Sequence, residues 1–248
     1  MHHKLHILAL LAGLTLSGAA QANLINRGGG LIYDSTLNIT WLQNANLAAT
    51  DTFGVSGIGS SGGMTWTTAN QWIGAMNTAD YLGYSNWRLP TTAPVNGSAF
   101  NYSSSFNGTT DIGYNISAPG TAYAGFTGSE LSYMYYNDLG LKGTHNPDGS
   151  LNPNWGILGN GTSVSQANVG PFQNLASSAY WSGTEYAPYS SGAWDFYTSY
   201  GIQDALYTNR DILAWAVRSG DVAAVPEPET WGLLAIGLLG LGWARRRG

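Results

Sequence analysis

The sequence contains no cysteine and has few charged residues. Without cysteine the chain can form no disulfide bond, no Cys-based zinc site and no cysteine nucleophile, so its fold depends on packing. Charged residues make up 9% of the chain, whereas about 25% is usual in globular domains. The surface is therefore covered mainly by neutral hydrogen-bonding groups. Ten tryptophans and fifteen tyrosines supply the apolar area that a core needs.

Positive charge is especially scarce between residues 23 and 225. Twelve acidic residues stand there against five basic ones, a net charge of minus seven. The basic residues are Arg27, Arg88, Lys142, Arg210 and Arg218. This balance argues against nucleic acid as a partner, because nucleic-acid binding needs a basic patch. A neutral polar surface suits glycans, although a domain with polar loops and no ligand fits equally well.

The first 22 residues have the order of a secretory signal peptide. A basic region at residues 2–4 precedes an apolar run at 5–16, and Ala20-Gln21-Ala22 has the small-x-small pattern of a cleavage site. We expect signal peptidase to cleave before Asn23. A retained membrane anchor is the alternative, but this run is short of the roughly 20 residues that a span requires.

Residues 222–248 have three parts in order. Pro226-Glu227-Pro228 precedes an apolar stretch at 231–243, and Arg245, Arg246 and Arg247 follow it. The stretch would rise about 20 Å as a helix, against a hydrocarbon core of about 30 Å. The arginines would stay on the cytoplasmic side as an anchor. We therefore expect a short transmembrane helix that holds the chain only transiently.

This tail resembles the PEP-CTERM sorting signal, which exosortases process. The resemblance implies signal peptidase and exosortase as processing partners, with cleavage near Pro226-Glu227-Pro228. It also implies an exported protein at the cell-envelope surface or in the extracellular matrix, with transient inner-membrane anchoring.

The residues between the two ends predict one α+β domain at 23–221, with a small antiparallel sheet, two helices and long loops. Apolar spacing predicts helices over 66–80 and 130–139, the second with Ser129 as its N-cap. Turn residues and alternation predict strands at 30–34, 38–41, 179–185, 193–200 and 212–218. Residues 92–128 and 142–174 are predicted as loops.

The domain also resembles the Lcl C-terminal domain family over about residues 30–221. The resemblance rests on an ordered set of short strings: Leu31-Ile32-Tyr33-Asp34, Ile39-Thr40-Trp41-Leu42-Gln43, Trp66, Asn86-Trp87-Arg88-Leu89-Pro90-Thr91, Glu130-Leu131, Tyr180-Trp181-Ser182-Gly183-Thr184-Glu185, Ala193-Trp194-Asp195-Phe196 and Ala214-Trp215-Ala216-Val217-Arg218. It implies a C-type-lectin-like scaffold that displays variable loops, commonly as a binding module. The acidic balance of this chain departs from the basic, sulfated-glycan-binding surface of the founding member.

The candidate ligand-binding residues lie around the predicted 179–185 and 193–200 strands. Tyr186 and Tyr189 stand in a loop, where exposed rings can stack on pyranose faces, and the tyrosines at 102, 114 and 123 lie in loops as well. Glu185, Trp194 and Asp195 complete the candidate site. Any one tryptophan is more often part of a core than a sugar platform. No cofactor is expected; calcium is allowed, but no motif supports it.

Catalysis is the alternative to binding. Glycoside hydrolysis needs two carboxylates about 5 to 10 Å apart, so a carbohydrate-active hydrolase would use Glu185 with Asp195 or Glu130. A Ser-His-Asp triad would have to use His145, which lies in a turn-rich segment. We expect instead a non-enzymatic binding or structural module for exopolysaccharide, with no catalytic or metal-binding residue. A third hypothesis is that the protein is a structural coat component without a specific ligand.

Overall fold

The computed structural model describes residues 23–222. The predicted signal peptide, the Pro226-Glu227-Pro228 motif, the short transmembrane helix and the arginine anchor therefore lie outside the described residues. Within residues 23–222, no helix combines the length and the apolar character that crossing a membrane requires.

Residues 23–222 fold into two helices and three sheets, which confirms the predicted α+β class. The strands in chain order are β1 (Leu24–Gly28), β2 (Leu31–Asp34), β3 (Ile39–Leu42), β4 (Trp87–Arg88), β5 (Ser104–Ser105), β6 (Ile112–Tyr114), β7 (Gln166–Val169), β8 (Phe172–Ala176), β9 (Ala179–Glu185), β10 (Gly192–Tyr197), β11 (Ile202–Tyr207) and β12 (Val217–Ser219). The first sheet has the order β1-β2-β3-β12-β4, and all its pairs are antiparallel. The second has the order β5-β6-β11-β10-β9, in which only β5 and β6 run parallel. Strands β7 and β8 form a separate antiparallel pair.

Helix α1 covers Trp66–Thr78, close to its predicted range. Its buried side chains recur at helical spacing: Ala69, Trp72, Ile73 and Met76. The Thr65 hydroxyl accepts a hydrogen bond from the Thr68 amide at 3.2 Å, which satisfies one free N–H of the first turn. The helix therefore begins with a local cap and packs through one apolar face.

Helix α2 starts at Glu130, where the sequence predicts it, but changes geometry after one turn. Residues Glu130–Tyr133 are α-helical and Met134–Asp138 continue as a π-helix. The Leu139 amide accordingly bonds to the Met134 carbonyl, five residues back, at 2.9 Å. Ser129 is the N-cap residue, as predicted, but its side chain makes no capping hydrogen bond.

Aromatic side chains fill the core. Trp41, Trp215 and Phe172 are essentially fully buried. The Trp41 and Phe172 ring centroids each lie 4.7 Å from that of Trp215. The Trp215 indole N–H donates to the Leu42 carbonyl at 2.8 Å, so its polar end is satisfied inside the core.

The sheet content exceeds the prediction of one small sheet. Strands β1, β5, β6, β7, β8 and β11 were not predicted. The predicted 193–200 strand ends at Tyr197, because the Thr198 hydroxyl turns back to the Ala176 carbonyl at 2.5 Å. Of the predicted 212–218 strand, only the part from Val217 joins a sheet, as β12 (Val217–Ser219). The residues before Val217 run from Leu213, which bridges to Tyr180 of β9, towards β3. The C-type-lectin-like architecture stays a prediction.

Candidate ligand-binding site

The loop after β9 presents the two tyrosines that the sequence singles out. The Tyr186 amide donates to the Gly192 carbonyl at 2.9 Å, and the Tyr189 amide donates to the Tyr186 carbonyl at 3.0 Å. These bonds close the loop and hold the two rings in a stack, with their centroids 5.9 Å apart. Tyr189 is 64% exposed. The loop thus offers an ordered aromatic surface to solvent.

Trp194 lies beneath this loop and is fully buried. Its ring packs against Phe100 at 4.8 Å, against Tyr186 at 5.3 Å and, in a stacked arrangement, against Tyr102 at 6.2 Å. Because it has no exposed face, Trp194 can influence a ligand only through the rings above it. Tyr102, which is 38% exposed, joins the same cluster.

Tyr186 and Tyr189 border a cleft of about 340 Å³. The cleft is lined by Ile112, Tyr186, Tyr189, Gly192, Asp204, Ala205, Leu206, Tyr207 and Arg210. Tyr207 stands on β11 directly opposite Gly192 of β10, and it is 61% exposed. Asp204 and Arg210 bring opposite charges to the walls. A cleft with exposed aromatic faces and a few polar groups is the usual form of a small-ligand site.

Asp195 lies on the opposite face of β10 from Trp194, at 1% exposure. It stands directly across from Asp204 of β11 and Trp181 of β9. Within the described part of the chain, neither of its carboxyl oxygens has a hydrogen-bond partner. Burial, with a smaller contribution from the Asp204 charge, raises the pKa of Asp195 well above its ordinary value. Asp195 is therefore a buried group that favours its protonated form.

The three acids of the hydrolase alternative lie in different surroundings. Glu185 is exposed at the end of β9 and pairs with Ala193, whereas Asp195 is buried and pairs with Trp181. Glu130 accepts two hydrogen bonds of 2.7 Å from the Arg88 guanidinium and one of 2.7 Å from the Thr91 amide. These bonds give Glu130 a structural role between β4 and α2.

His145 packs in a second aromatic cluster. Its ring lies 4.8 Å from Phe106 and 4.6 Å from Tyr114, and its Nδ1 is 3.1 Å from the Thr144 hydroxyl. Tyr114, one of the loop tyrosines that the sequence suggests for binding, is therefore engaged there, outside the cleft.

Among residues 23–222, no three Asp, Glu or His side chains converge as a metal site requires. In the turn at residues 146–149, Asp148 accepts hydrogen bonds from the Ser150 amide at 2.9 Å and from the Ser150 hydroxyl at 2.6 Å. Those contacts lower the pKa of Asp148. They are the contacts of an Asx turn.

Sequence reasoning missed Tyr207, Asp204 and Arg210. The sequence signal that could have revealed β11 was the glycine at position 201, which forms a turn with a φ of +69°. The six residues of β11 follow this turn. Both faces of β11 mix polar and apolar residues, however, so its alternation is weak. Only pairing with β10 brings these residues beside Tyr186 and Tyr189.

Comparison with known protein families identifies a motif at the C-terminal end of the chain. The PEP-CTERM protein-sorting motif matches residues 224–247. The chain carries an exosortase sorting signal. This signal indicates an exported cell-surface protein that an exosortase sorts, as the tail predicts. No curated protein and no solved structure matches the chain. The resemblance to the Lcl C-terminal domain family therefore stays a prediction.

Proposed function

We propose that this exosortase-sorted protein is a non-enzymatic surface or matrix module that binds exopolysaccharide made by the same cell. The observation that carries the proposal is the cleft beside the stacked pair Tyr186 and Tyr189, with Tyr207 on its other wall. Tyrosine joins an apolar ring to a polar hydroxyl, so it can pack on a sugar ring and bond to its hydroxyls.

The packing below the cleft favours recognition over a purely structural role. Trp194 and Tyr102 both pack against the Tyr186 ring, which reduces the conformational entropy lost when a ligand is bound. The Tyr186–Gly192 loop is closed by its own backbone bonds. A structural coat component would need no such ordered, exposed aromatic surface.

The charges favour a neutral or weakly charged polymer. Asp204 and Arg210 offset each other in the cleft, and the net charge of minus seven between residues 23 and 225 repels polyanions. This separates the proposed ligand from sulfated glycans. The C-terminal anchor would hold the chain at the inner membrane only until exosortase acts.

The test is binding of the exported protein to the producing cell's own purified exopolysaccharide, measured by calorimetry with and without calcium. We expect Tyr189→Ala and Tyr207→Ala each to weaken binding about tenfold, because each removes an exposed ring that faces the cleft. Tyr189→Phe should keep most of the affinity, since it keeps the ring.

Tyr200→Ala is the matched control. Tyr200 is 48% exposed in the turn that joins β10 to β11, at the opposite end of that hairpin from Tyr207. Its loss should change binding less than twofold. Absence of binding to this polymer and to a glycan array would refute the proposal. Release of reducing ends that Glu185→Gln abolishes would favour the hydrolase instead.

A further inference from the structure

The aromatic cleft runs along an edge of β11 that β6 leaves open. Strand β6 pairs with β11 over residues 202–203, and the β11 residues that line the cleft, 204–207, follow directly. The Thr208 amide donates to the Ser191 carbonyl at 2.8 Å, on the side of β10. Backbone N–H groups alternate in direction along an antiparallel strand, so the Ala205 amide points away from β10, towards the open edge.

The carboxylate of Asp204 lies at this open edge. Its Oδ1 accepts a hydrogen bond from the Ala205 amide at 2.8 Å, which places the carboxylate on the cleft side of β11. Burial raises the pKa of Asp204, while the bond from Ala205 lowers it. Burial is also the main cause that raises the pKa of Tyr186, and the charges of Tyr102, Tyr189 and Asp204 add to it. The Asp204 carboxylate therefore lies within electrostatic range of the Tyr186 hydroxyl.

The charge of Asp204 is not neutralised by an ion pair within residues 23–222. The ion pairs there use Arg27 and Arg88, and neither involves Asp204. Arg210 stands in the turn after β11, where its amide donates to the Tyr207 carbonyl at 3.0 Å. Its side chain offsets Asp204 in number, but in the described part of the chain the two form no ion pair. Asp204 thus presents an unpaired negative charge to the cleft.

A second carboxyl group lies behind Asp204. Asp195 stands directly across from it on β10 and is 1% exposed. Neither carboxyl oxygen of Asp195 has a hydrogen-bond partner among residues 23–222. Two carboxylates at opposite positions of neighbouring strands repel each other. A cation bound at Asp204 would reduce that repulsion and stabilise the ionised form of Asp204 against its burial.

The tyrosines of the cleft supply a second attraction for a cation. Tyr189 and Tyr207 are 64% and 61% exposed, and the Tyr186 ring stacks on that of Tyr189. The face of an aromatic ring is negative and attracts a cation placed over it, and groups of aromatic rings commonly bind ammonium ligands. The cleft therefore combines an unpaired carboxylate with exposed ring faces, which suits an ammonium group better than a neutral one.

We infer that the cleft recognises an amino sugar, whose ammonium group binds the Asp204 carboxylate while Tyr189 and Tyr207 contact the sugar ring. The inference rests on the proposed function and narrows its polymer to one that contains hexosamine residues with free amino groups. A free sugar amine becomes an ammonium by taking up a proton, whereas the N-acetylated form is a neutral amide. Only the free amine can make a charge-assisted hydrogen bond to Asp204.

The first experiment compares a glucosamine oligomer with an N-acetylglucosamine oligomer of the same length, by calorimetry at pH 7 with the exported protein. We expect the glucosamine oligomer to bind at least tenfold more tightly. Asp204→Asn should remove this preference, and the oxygen of its amide can still accept the bond from Ala205. Asp148→Asn is the matched control, because it removes the same charge outside the cleft. It should change the preference less than twofold.

The sign of the charge gives a second check. Arg210→Gln removes the positive charge of the cleft, so it should strengthen binding of the glucosamine oligomer, opposite to the effect of Asp204→Asn. Equal affinity of the unmodified protein for the two oligomers overturns the inference. A preference that persists in Asp204→Asn overturns it as well.

Chemical N-acetylation of the producing cell's purified exopolysaccharide separates this inference from the proposed function. We expect the treatment to weaken binding at least tenfold. Undiminished binding after N-acetylation overturns the inference and leaves the proposed function standing. If the untreated polymer does not bind, but the glucosamine oligomer binds through Asp204, the amine site is supported and the exopolysaccharide is refuted as its ligand.

Discussion

The carboxyl group of Asp195 is buried at a position where a negative charge does not stabilise the folded protein. It is directly opposite Asp204 on the neighbouring strand, and like charges at that position repel each other. Ionisation in the folded protein is opposed by burial and by Asp204, so the folded pKa lies above the ordinary value of 3.8. Folding stability should therefore fall as the pH rises from about 4 towards the folded pKa, because over that range the folded state binds the extra proton.

We expect Asp195→Asn to stabilise the protein at pH 7 by about 1 to 3 kcal/mol, since the amide needs no proton and can donate to Asp204. The gain should shrink as the pH falls towards 4 and vanish below about 3, where the wild-type carboxyl is protonated in both states. Urea unfolding at several pH values measures both effects. Asp148→Asn is the control, because the exposed Asp148 already accepts bonds from Ser150 and should gain nothing. A destabilised Asp195→Asn variant would show that the carboxyl is satisfied in the folded protein.

At the scale of elements, the same glycine-to-alanine change should have opposite effects in a helix and in a strand. Gly74 lies on the exposed side of α1, and a Cβ atom there would touch nothing. Gly113 lies in β6 with a φ of +124°, and a Cβ atom there would collide with the Ser105 carbonyl of β5. Gly74 thus has room for a methyl group and a backbone that suits alanine, whereas Gly113 has neither.

Gly74→Ala should raise the free energy of unfolding by about 0.5 to 1 kcal/mol, because alanine loses less backbone entropy in a helix. Gly113→Ala should lower it by more than 1 kcal/mol, because the residue must leave its backbone conformation or displace β5. Parallel urea titrations of the two variants measure this. Two changes of the same sign would contradict the packing described for β5 and β6.

At the scale of the whole molecule, Glu130 joins parts of the fold that are distant in sequence. It binds Arg88 of β4 in the first sheet, while Tyr135 on the same helical segment packs on Phe196 of β10 in the second, with centroids 5.2 Å apart. The pair is partly buried, with 31% of the Arg88 side chain and 9% of the Glu130 side chain exposed. Its loss should therefore cost less than that of a fully buried pair.

Glu130→Gln should lower the free energy of unfolding by about 2 kcal/mol, with both sheets still unfolding in one transition. Coincident curves from tryptophan fluorescence and far-ultraviolet circular dichroism would check this. The control is Glu185→Gln at an exposed position, which should change stability by less than about 0.5 kcal/mol. Two separated transitions would mean that the sheets are independent units.

Local patterns predicted the elements that depend on local interactions. Helix α1 has its cap and its apolar face within one stretch of sequence, and β9 covers its predicted range. Strand β1 was not predicted because it is an edge strand in which only one of five residues is buried. Strands β5 and β6 are two and three residues long. The loop before them is held by Asp111, which accepts bonds from the Val95 and Asn101 amides at 2.7 and 2.6 Å. No periodicity reveals such long-range bonds.

The candidate site follows the same division. Tyr186 and Tyr189 could be suggested from the sequence because they stand in a polar, turn-forming loop. Tyr207 could not, since its place beside them depends on the pairing of β10 with β11. The burial of Trp194 and Asp195 also depends on tertiary contacts, with Phe100 and Tyr102 covering the first and β9 and β11 flanking the second. Composition suggested the aromatic surface, and strand pairing assembled the cleft.

The contacts that join the two ends of the described residues, 23–222, have a mechanical consequence. Arg27 of β1 binds the Asp221 carboxylate with contacts of 2.9 and 2.5 Å, and the Thr40 hydroxyl of β3 binds the Gly220 carbonyl at 2.7 Å. Strand β12, just before them, is paired on both sides by β3 and β4. A pulling force that enters through the residues after Asp221 would first load this clamp and then an interior strand of the first sheet. The aromatic cleft, on the second sheet, would be spared that tension while the protein resists shear at the cell surface.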